Sequence, residues 1–462
     1  MDVPRLMVSA PHRSSGKTTL SIGLCAALAA SGVKVQAFKK GPDFIDPMWL
    51  SAATRRDCRN LDLFMMGEDR VLESFAVNAA GAGLAIVEGN MGLYDSIEVD
   101  GRGSTADMAR TLGTPVILVI DTRNMTRSVA PLIQGFTGFE PDINIAGIIL
   151  NKVSGSRHED KLRQVIERYT DVEVVGAIRR HPEMGIIMRH LGLQPARESL
   201  APDDVVAKIG DIVAASVDLK QIRRIAESAP RLTAAPPVAA RPAATGRRPS
   251  VRLGIARDRA FTFYYPENLE ALAAAGAELV PFSPTSEPEL PPGLNGLYIG
   301  GGFPEVFMEE LEANGSLREQ IRAAAAAGMP VYAECGGLMY LARQITWKGK
   351  TRRMVGALPC DILMHEKPRG HGYVELRATG AGGWFEPGLK IRGHEFHYSE
   401  IVNTGEVGFA YDMLRGTGLD RRHDGIIYGN ALASYTHLHA LGSPGWAPGF
   451  VEFVKGKKVT SL

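Results

Sequence analysis

Short apolar runs alternate with longer amphipathic stretches through the first half of the chain. The runs are rich in Val, Ile and Leu and are too short for buried helices, which is typical of buried strands. The stretches between them, such as Thr19 to Ala30 and Glu159 to Arg168, favour helices. This alternation predicts a parallel sheet with helices on both faces. The predicted strands are Leu6 to Ser9, Val33 to Phe38, Leu84 to Val87, Val116 to Ile120, Ile145 to Leu150 and Val172 to Ala177.

The same pattern restarts after an Ala/Pro-rich stretch at 225–250. That stretch shows no apolar period of 2 or 3.6 residues, which is typical of a linker. Beyond it, strand-like runs occur in VRLGIARD, LNGLYIGGG and MPVYAECGG, and Gly-rich segments with aromatic and His clusters follow. We therefore predict an α/β chain of two doubly wound domains, at 1–224 and 251–462, joined by a linker at 225–250.

Composition and charge exclude several classes of protein. The chain has 462 residues, of which 45% are apolar and 22% charged, so it is neither disordered nor fibrous. Because 52 basic and 51 acidic residues leave a net charge of +1, we expect no nucleic acid and no membrane as partners. The longest apolar runs are too short to cross a bilayer. Four cysteines without metal-type spacing fit a reducing, cytoplasmic location.

The N-terminal strand, loop and helix have the order that a phosphate-binding loop requires. The loop ends in Ser15, Gly16, Lys17 and Thr18, so backbone N–H groups and Lys17 can face phosphates while the Thr18 hydroxyl ligates Mg²⁺. Pro11 stands where the strict motif has its first glycine. The alternative is that Ser14 or Ser15 only caps the helix.

Acidic residues follow two further predicted strands, where a nucleotide site needs metal ligands. Lys39, Asp43 and Asp46 lie in FKKGPDFIDP, and Glu88 and Asp95 lie in IVEGNMGLYDS. Carboxylates at the ends of parallel strands are natural Mg²⁺ ligands. The alternative is that they cap helices or turns.

A polar residue also ends the strand in IILNKV. Asn151 stands there, where its amide could contact an adenine edge. The alternative is that Asn151 only ends the strand, since asparagine is common at strand ends.

A cysteine stands between a buried strand and an apolar helix in MPVYAECGGLMYLA. Gly336 and Gly337 allow a sharp turn after Cys335, and we expect the helix N-terminus to lower the pKa of the thiol. The N–H groups of the glycine run in LYIGGGFPE could donate to an oxyanion when the thiolate attacks a carbonyl. The alternative is a buried structural cysteine.

Four histidines are candidates for the base that such a nucleophile needs. His394 and His397 lie in RGHEFHYSE, and His437 and His439 lie in SYTHLHAL. A metal site is the alternative, but no carboxylate or thiol completes a familiar zinc pattern around them.

These motifs together resemble the a,c-diamide synthases that act on cobyrinic and hydrogenobyrinic acid. Members of that family join a dethiobiotin-synthetase-like ATPase domain to a class I glutamine amidotransferase domain with a flavodoxin-like fold. The resemblance extends from Leu6 to about Leu441. It rests on the deviant phosphate loop and on KGPDFID, EGNMGLYD, ILNKV, YIGGGFPE, AECGGLMYL, GHEFHYSE and SYTHLH.

The resemblance implies an ATP- and glutamine-dependent ligase. Glutamine is hydrolysed at Cys335 with His437 as base, and ammonia passes to the first domain. There ATP activates an acetate carboxylate of a tetrapyrrole as an acyl phosphate, and ammonia displaces phosphate to leave an amide. Glutamine and an acetate-bearing tetrapyrrole are thus the implied partners, and a homodimer is one candidate assembly.

The resemblance also assigns residues to roles. Catalysis falls to Cys335 and His437, and substrate placement or the acyl-phosphate step to Asp46 and Asp95. The other implied roles are ATP binding by Ser15, Gly16, Lys17, Thr18, Thr19, Lys39 and Asn151, Mg²⁺ binding by Thr18, Asp43 and Glu88, and oxyanion or glutamine binding by Gly301, Gly302 and Gly336.

Departures from the family pattern leave alternatives open. His439 stands where most class I amidotransferases have Glu, so a Cys335/His437 dyad is expected instead of a triad. Lys40, Asn90 and Ser96 also depart from the usual motifs, and Lys39 and Lys40 are suited to pair with substrate carboxylates.

Three other functions remain alongside the leading one. The substrate could be sirohaem or nickel-sirohydrochlorin, because the departures at Lys40, Asn90 and Ser96 cluster beside the implied tetrapyrrole site. The chain could instead be a cobyric acid synthase-like enzyme, although that family typically has a different motif at its last His. It could also be a P-loop regulatory ATPase with an inactive amidotransferase module.

Overall fold

The computed structural model describes residues 2–181, 201–232 and 249–457, together with Met184 and positions 188–189, 192–193 and 195–198. It divides into two compact units, Met1–Val238 and Ala239–Leu462. The last helix of the first unit ends at Glu227, so the first residues of the predicted linker are helical. Residues 233–248 of that linker lie outside the described residues, and its boundaries stay predictions.

The first unit is built on a seven-stranded sheet in which all neighbouring strands are parallel. Its order is β3-β2-β4-β1-β5-β6-β7. Because parallel strands are covered on both faces, the strands are almost continuously buried, as the apolar runs predicted. They are β1 Arg5–Ser9, β2 Val35–Lys40, β3 Arg59–Leu61, β4 Leu84–Glu88, β5 Val116–Asp121, β6 Ile145–Val153 and β7 Val174–Arg179, and a short hairpin adds β8 Met188–Arg189 and β9 Gly192–Leu193.

Helices connect these parallel strands. The first begins at Lys17, directly after the phosphate-type loop, and its buried face carries Leu20, Leu24 and Leu28. The helices are α1 Lys17–Ala30, α2 Ile45–Thr54, α3 Leu63–Met66, α4 Glu68–Ala79, α5 Thr105–Thr111, α6 Val129–Phe139, α7 Ser156–Tyr169, α8 Pro202–Ser216 and α9 Leu219–Glu227.

The second unit has a nine-stranded mixed sheet of order β12-β10-β13-β15-β24-β23-β22-β19-β20. The first five strands in this order are parallel, and the other four extend the sheet in antiparallel fashion. The strands are β10 Val251–Ala256, β11 Phe261–Phe263, β12 Ala277–Phe282, β13 Gly296–Ile299, β14 Gly301–Gly302, β15 Val331–Glu334, β16 Gln344–Trp347, β17 Lys350–Arg353, β18 Asp361–Met364, β19 Gly370–Ala378, β20 Lys390–His397, β21 Ser399–Val402, β22 Gly408–Arg415, β23 His423–Tyr428 and β24 Ala431–Ser434.

Two smaller sheets and five helices complete the second unit. β11 pairs with β14, and β17-β16-β18-β21 form a four-stranded sheet. The helices are α10 Pro266–Ala274, α11 Met308–Ala313, α12 Gly315–Ala326, α13 Gly336–Leu341 and α14 Trp446–Gly456. The two units confirm the predicted α/β class, and the antiparallel extension is an addition that the sequence patterns did not predict. Among the described residues, no helix is both long and apolar enough to cross a membrane.

Candidate active sites

The loop between β1 and α1 has the backbone geometry of a phosphate cradle. Gly16, the residue before α1, has φ 97, and no side chain within residues 2–181 caps this helix. The serine-cap alternative is therefore wrong, and the first N–H groups of α1 remain for a ligand. A Cβ at Gly16 would stand 2.2 Å from Asn151 Nδ2, so only glycine fits between the loop and β6.

Asn151 and Lys152 brace this loop from the end of β6. Asn151 Nδ2 donates to Ser15 O at 2.8 Å, and Lys152 Nζ donates to Ser14 O at 3.1 Å and to Asp121 at 2.8 Å. The amide of Asn151 thus holds the loop here, and its contact with adenine stays a prediction. Sequence reasoning missed Asp121 and Lys152, although both stand at strand ends like the other site residues.

Lys17 lies inside the loop, where its Nζ donates to His12 O at 3.3 Å. Burial and the neighbouring Lys39 lower the pKa of Lys17 to about 8, and Glu88, Asp46 and Asp95 oppose that shift. The ammonium is therefore destabilised until an anion arrives, which suits a group that must bind phosphate.

We expect ATP binding to take up a proton above pH 8. Phosphate oxygens favour the ammonium of Lys17, so the pKa of this group rises on binding, and the Kd for ATP should increase up to about tenfold per pH unit above 8. Calorimetry at pH 9 in two buffers of different ionisation enthalpy measures the uptake. Lys17→Arg, which stays charged, should bind without uptake, and an uptake of zero in the parent protein would contradict this assignment.

Four side chains meet beside the loop, at the ends of β2 and β4 and the starts of α1 and α2. Thr18 Oγ1 lies 2.6 Å from Glu88 Oε1 and 3.1 Å from Asp46 Oδ2. Lys39 Nζ forms ion pairs with the same two oxygens, at 2.9 Å and 2.7 Å. The structure therefore brings together Thr18, Lys39, Asp46 and Glu88 in a site that is almost entirely buried. The resemblance implied Asp43 in place of Asp46 as the metal ligand beside Thr18 and Glu88.

The donor set of this cluster fits Mg²⁺. Glu88 is fully buried, and its Oε2 has no hydrogen-bond partner among the described residues. Burial raises the pKa of Glu88, against the opposing charge of Lys39, so a bound cation would stabilise its carboxylate. Within the described chain, no three His, Cys, Asp or Glu side chains form a complete metal cage. Mg²⁺ commonly takes one or two carboxylates and completes its shell with water and phosphate oxygens.

Asp43 was implied to be a Mg²⁺ ligand together with Thr18, but the hydrogen bonds described for it are with the start of α2. Its Oδ1 accepts hydrogen bonds from the backbone N–H groups of Ile45 and Asp46, the first residues of α2. Burial and the nearby Asp46 raise the pKa of Asp43 to about 7. Asp46 Oδ2 lies 3.1 Å from Thr18 Oγ1, and the role of Asp43 in metal binding stays a prediction.

Asp95 and Thr19 flank the cluster. Asp95 is exposed in the loop after β4, where its Oδ2 accepts from Gly92 N at 2.8 Å, and its charge acts on Lys17. Thr19 is half-buried on α1, directly after Thr18. Both lie beside the loop, and their roles stay predictions.

The expectation that Lys39 and Lys40 pair together with substrate carboxylates is not supported. They are consecutive on β2, so their side chains point to opposite faces of the sheet. Lys39 is engaged by Asp46 and Glu88. Lys40 is only 6% exposed, and burial lowers its pKa although Asp62 and Asp107 are near.

Cys335 forms the expected turn between β15 and α13. Its φ is 48 and its ψ −100, a backbone conformation that non-glycine residues rarely adopt and that is typical of nucleophile turns. Cys335 N donates to Ser434 O at 2.7 Å, which ties the turn to the end of β24. A Cβ at Gly337 would lie 2.0 Å from Ile299 O, so the turn requires glycine there.

The expectation that the helix N-terminus lowers the thiol pKa is wrong. Burial raises the pKa of Cys335 well above its usual range, and the charge of Glu305 adds to that shift. The hydrogen bond from the Gly336 N–H acts in the opposite direction but is the smaller effect. The α13 helix has only six residues, and desolvation outweighs its dipole. The thiol is therefore protonated at rest and needs a base.

The predicted oxyanion glycines connect the cysteine turn to His437. A Cβ at Gly336 would lie 2.9 Å from Gly302 N, and a Cβ at Gly301 would lie 2.6 Å from His437 Cε1. Gly301 and Gly302 form β14, which pairs with β11. The three glycines are thus packed in one corner with His437, and their oxyanion role stays a prediction.

The candidate histidines divide into different environments. His437 and His394 exchange backbone hydrogen bonds, and their rings stack at 4.9 Å. Burial and the neighbouring His437 lower the pKa of His394 well below its usual value, so His394 stays neutral. His397 stacks on Tyr435 at 3.6 Å, and His439 Nε2 lies 3.6 Å from Glu267 Oε2.

The loop that carries His437 is held by a buried carboxylate. Asp424 accepts hydrogen bonds from the backbone N–H groups of Tyr435 and Thr436 at 3.0 Å and 2.9 Å, and from the Thr436 hydroxyl. A second buried carboxylate, Glu334, lies 3.5 Å from His437 Nδ1. Sequence reasoning missed both residues. The signal for Glu334 was a charged residue at the end of an otherwise apolar strand.

Comparisons with known proteins find a matching domain family for each half of the chain. Residues 6–191 match the CobQ/CobB/MinD/ParA nucleotide binding domain, and residues 252–445 match the CobB/CobQ-like glutamine amidotransferase domain. The curated protein named cobyrinate a,c-diamide synthase of Magnetococcus marinus is 49% identical over 98% of this chain and 97% of its own length. Its namesake in Methanosarcina acetivorans is 45% identical over 97% and 95%. Since the likeness spans nearly the whole chain, the protein belongs to the cobyrinate a,c-diamide synthase family of glutamine-dependent amidating ligases.

Proposed function

We propose that this enzyme converts the a and c acetate carboxylates of cobyrinate into amides, with ATP and glutamine as co-substrates. The observation that carries the proposal is the 49% identity, over 98% of the chain, to a relative of that name. The phosphate loop and the Cys335 turn described above support the same conclusion, because this reaction needs one site that uses ATP and another that hydrolyses glutamine.

The first unit supplies the groups for carboxylate activation. A carboxylate is a poor electrophile at neutral pH, so ATP must first phosphorylate it to an acyl phosphate. We assign Lys17 and the N–H groups at the start of α1 to the phosphates. Thr18, Asp46 and Glu88 would hold Mg²⁺, which supplies charge neutralisation on the transferring phosphoryl group. Lys39 fixes the orientation of Asp46 and Glu88 through its two ion pairs.

The second unit supplies ammonia from glutamine. His437 takes the proton of the Cys335 thiol, and the thiolate attacks the side-chain amide carbon of glutamine. The oxyanion that forms is stabilised by backbone donors at Gly301, Gly302 and Gly336. The protonated His437 gives its proton to the leaving nitrogen, so ammonia departs and a thioester remains. Water hydrolyses the thioester and releases glutamate, and the ammonia displaces phosphate from the acyl phosphate.

Sirohaem and nickel-sirohydrochlorin are the alternative substrates, and the substrate panel described below distinguishes them from cobyrinate. The case for sirohaem or nickel-sirohydrochlorin rested partly on Lys40 facing the macrocycle, and Lys40 is instead buried on the opposite face of the sheet from Lys39. The names of the relatives favour cobyrinate.

A panel of tetrapyrroles tests the substrate. The purified enzyme with ATP, Mg²⁺ and glutamine is incubated with cobyrinic acid, hydrogenobyrinic acid, sirohaem or nickel-sirohydrochlorin, and products are identified by mass spectrometry. We expect two amidations of cobyrinic or hydrogenobyrinic acid, and we expect the kcat/KM for sirohaem and for nickel-sirohydrochlorin to be at least about tenfold lower than that for cobyrinic acid. Amidation of sirohaem alone would overturn the proposed substrate, and amidation of carboxylates other than a and c would favour a cobyric acid synthase-like enzyme.

A further inference from the structure

Glu334 is a buried carboxylate placed directly before the nucleophile, and the mechanism above does not use it. It is the last residue of β15 and is 1% exposed. The hydroxyls of Tyr298 and Tyr332 each donate to it at 3.1 Å, and Leu438 N donates at 3.2 Å. These bonds fix the carboxylate on the side of the loop that carries His437.

The remaining contact of Glu334 is with the base itself. Its Oε2 lies 3.5 Å from His437 Nδ1, which leaves the other ring nitrogen, Nε2, to act as the proton acceptor. Among the described residues no lysine or arginine forms an ion pair with Glu334, and its ion-pair partner is His437. A buried carboxylate without a cation is costly, and a histidine that gains a proton beside it removes that cost.

We propose that Glu334 is the positioning residue for His437 and performs the role of the glutamate that most class I amidotransferases place two residues after the histidine. The inference rests on the glutamine-hydrolysing half of the proposed function. Glu334 directs the Nδ1–H of His437 toward itself, so Nε2 is left to accept the proton of Cys335. It then stabilises the imidazolium that forms. The two atoms are 3.5 Å apart, within the distance of an ion pair.

His439 stands two residues after His437, where most class I amidotransferases have that glutamate, and its contacts are with other groups. His439 accepts from Leu441 N through Nδ1 and turns Nε2 toward Glu267, at 3.6 Å. It is fully buried and packs against the ring of Tyr265 at 4.5 Å. A histidine cannot replace a carboxylate as the acceptor of Nδ1–H from His437 while its own nitrogens are engaged in this way, so the chain supplies the carboxylate from β15.

Several titratable groups surround Glu334 and His437. The ring of His394 stacks on His437, and Glu334 acts electrostatically on one thiol and on several buried tyrosines. These are Cys335, Tyr264, Tyr298, Tyr332 and Tyr411, and each has a raised pKa. Burial and the neighbouring His437 lower the pKa of His394, so His394 stays neutral beside this pair.

Glu334→Gln tests the proposal because glutamine keeps the size of the side chain and an oxygen for the tyrosine hydroxyls. We expect the kcat of glutamine hydrolysis to fall about 100-fold, with the KM for glutamine changed less than about threefold and ammonium-dependent amidation unaffected. Because the carboxylate stabilises the imidazolium, its removal makes protonation of His437 less favourable. The acidic limb of the pH profile should therefore move to lower pH, and Glu334→Asp should recover part of the rate.

Glu267→Gln is the matched control, since it also removes a buried carboxylate beside a histidine. It should leave both the rate and the pH profile of glutamine hydrolysis close to those of the parent enzyme. Equal rates for Glu334→Gln and the parent, or a loss with an unmoved acidic limb, would overturn the role of Glu334. Release of glutamate needs no macrocycle, so a wrong tetrapyrrole in the proposed function would leave this comparison intact.

Discussion

Cys335→Ala is expected to abolish glutamine-dependent amidation while amidation with high ammonium continues at nearly the parent rate. The thiol is the nucleophile that opens glutamine, and ammonium bypasses that step. We expect a loss of at least about 10⁴-fold, because removal of the nucleophile from such catalytic units costs this much or more. Alanine has a Cβ like cysteine, so the φ of 48 is no more strained in the variant. Product formation with each nitrogen source measures the result.

Cys360→Ala is the control, because Cys360 is the other fully buried cysteine of the second unit. It should keep both activities. His437→Ala should resemble Cys335→Ala, whereas His439→Ala should lose less. Survival of glutamine use in Cys335→Ala would show that the amidotransferase assignment is wrong, and complete loss in His439→Ala with His437→Ala spared would exchange the roles of the two histidines.

Lys17→Ala and Glu88→Gln are expected to stop amidation with either nitrogen source. Lys17 balances charge on the phosphates, and Glu88 is the buried carboxylate with an unpartnered oxygen for the metal ion. Removing groups that stabilise a phosphoryl-transfer transition state costs on the order of 10³-fold. Basal release of glutamate from glutamine should persist in both variants, because that chemistry uses residues of the second unit.

Lys34→Ala serves as the control, since Lys34 is an exposed lysine of the same unit. It should retain full amidation. Thermal unfolding of each variant is recorded in parallel, because Glu88 also pairs with Lys39 and its neutralisation weakens that contact. A Lys17→Ala enzyme that consumes ATP at the parent rate would remove the loop from the mechanism.

The sequence patterns identified the first sheet well because its strands are apolar throughout. The errors have a physical cause. The second strand was predicted at Val33 to Phe38 and lies at Val35–Lys40, because Lys39 and Lys40 indicate a loop by composition alone. Lys39 can be buried only because Asp46 and Glu88 neutralise it, and this pairing joins residues from three separate segments. The sequence pattern within one segment cannot predict a contact between three segments.

The second unit was harder to predict for a similar reason. Strands such as β19 and β22 carry charged and small residues on their exposed faces, and their burial alternates with intermediate or exposed positions. The motif AECGG identified Cys335 correctly, yet Glu334 within it was not recognised as functional. Its meaning depends on His437, which is distant in sequence and is brought near by the pairing of β15 with β24.

The positive φ of Cys335 limits which residues can replace it during evolution. With φ 48, a β-branched residue such as threonine is excluded, so serine is the only other small hydroxyl or thiol nucleophile that the turn could accept. Glycine would fit with less strain than cysteine. A lineage supplied with ammonium could therefore lose the thiol by Cys335→Gly without losing the fold. Its descendants would carry a well-folded module with no glutaminase activity, so the presence of the domain in a relative does not by itself reveal its nitrogen source.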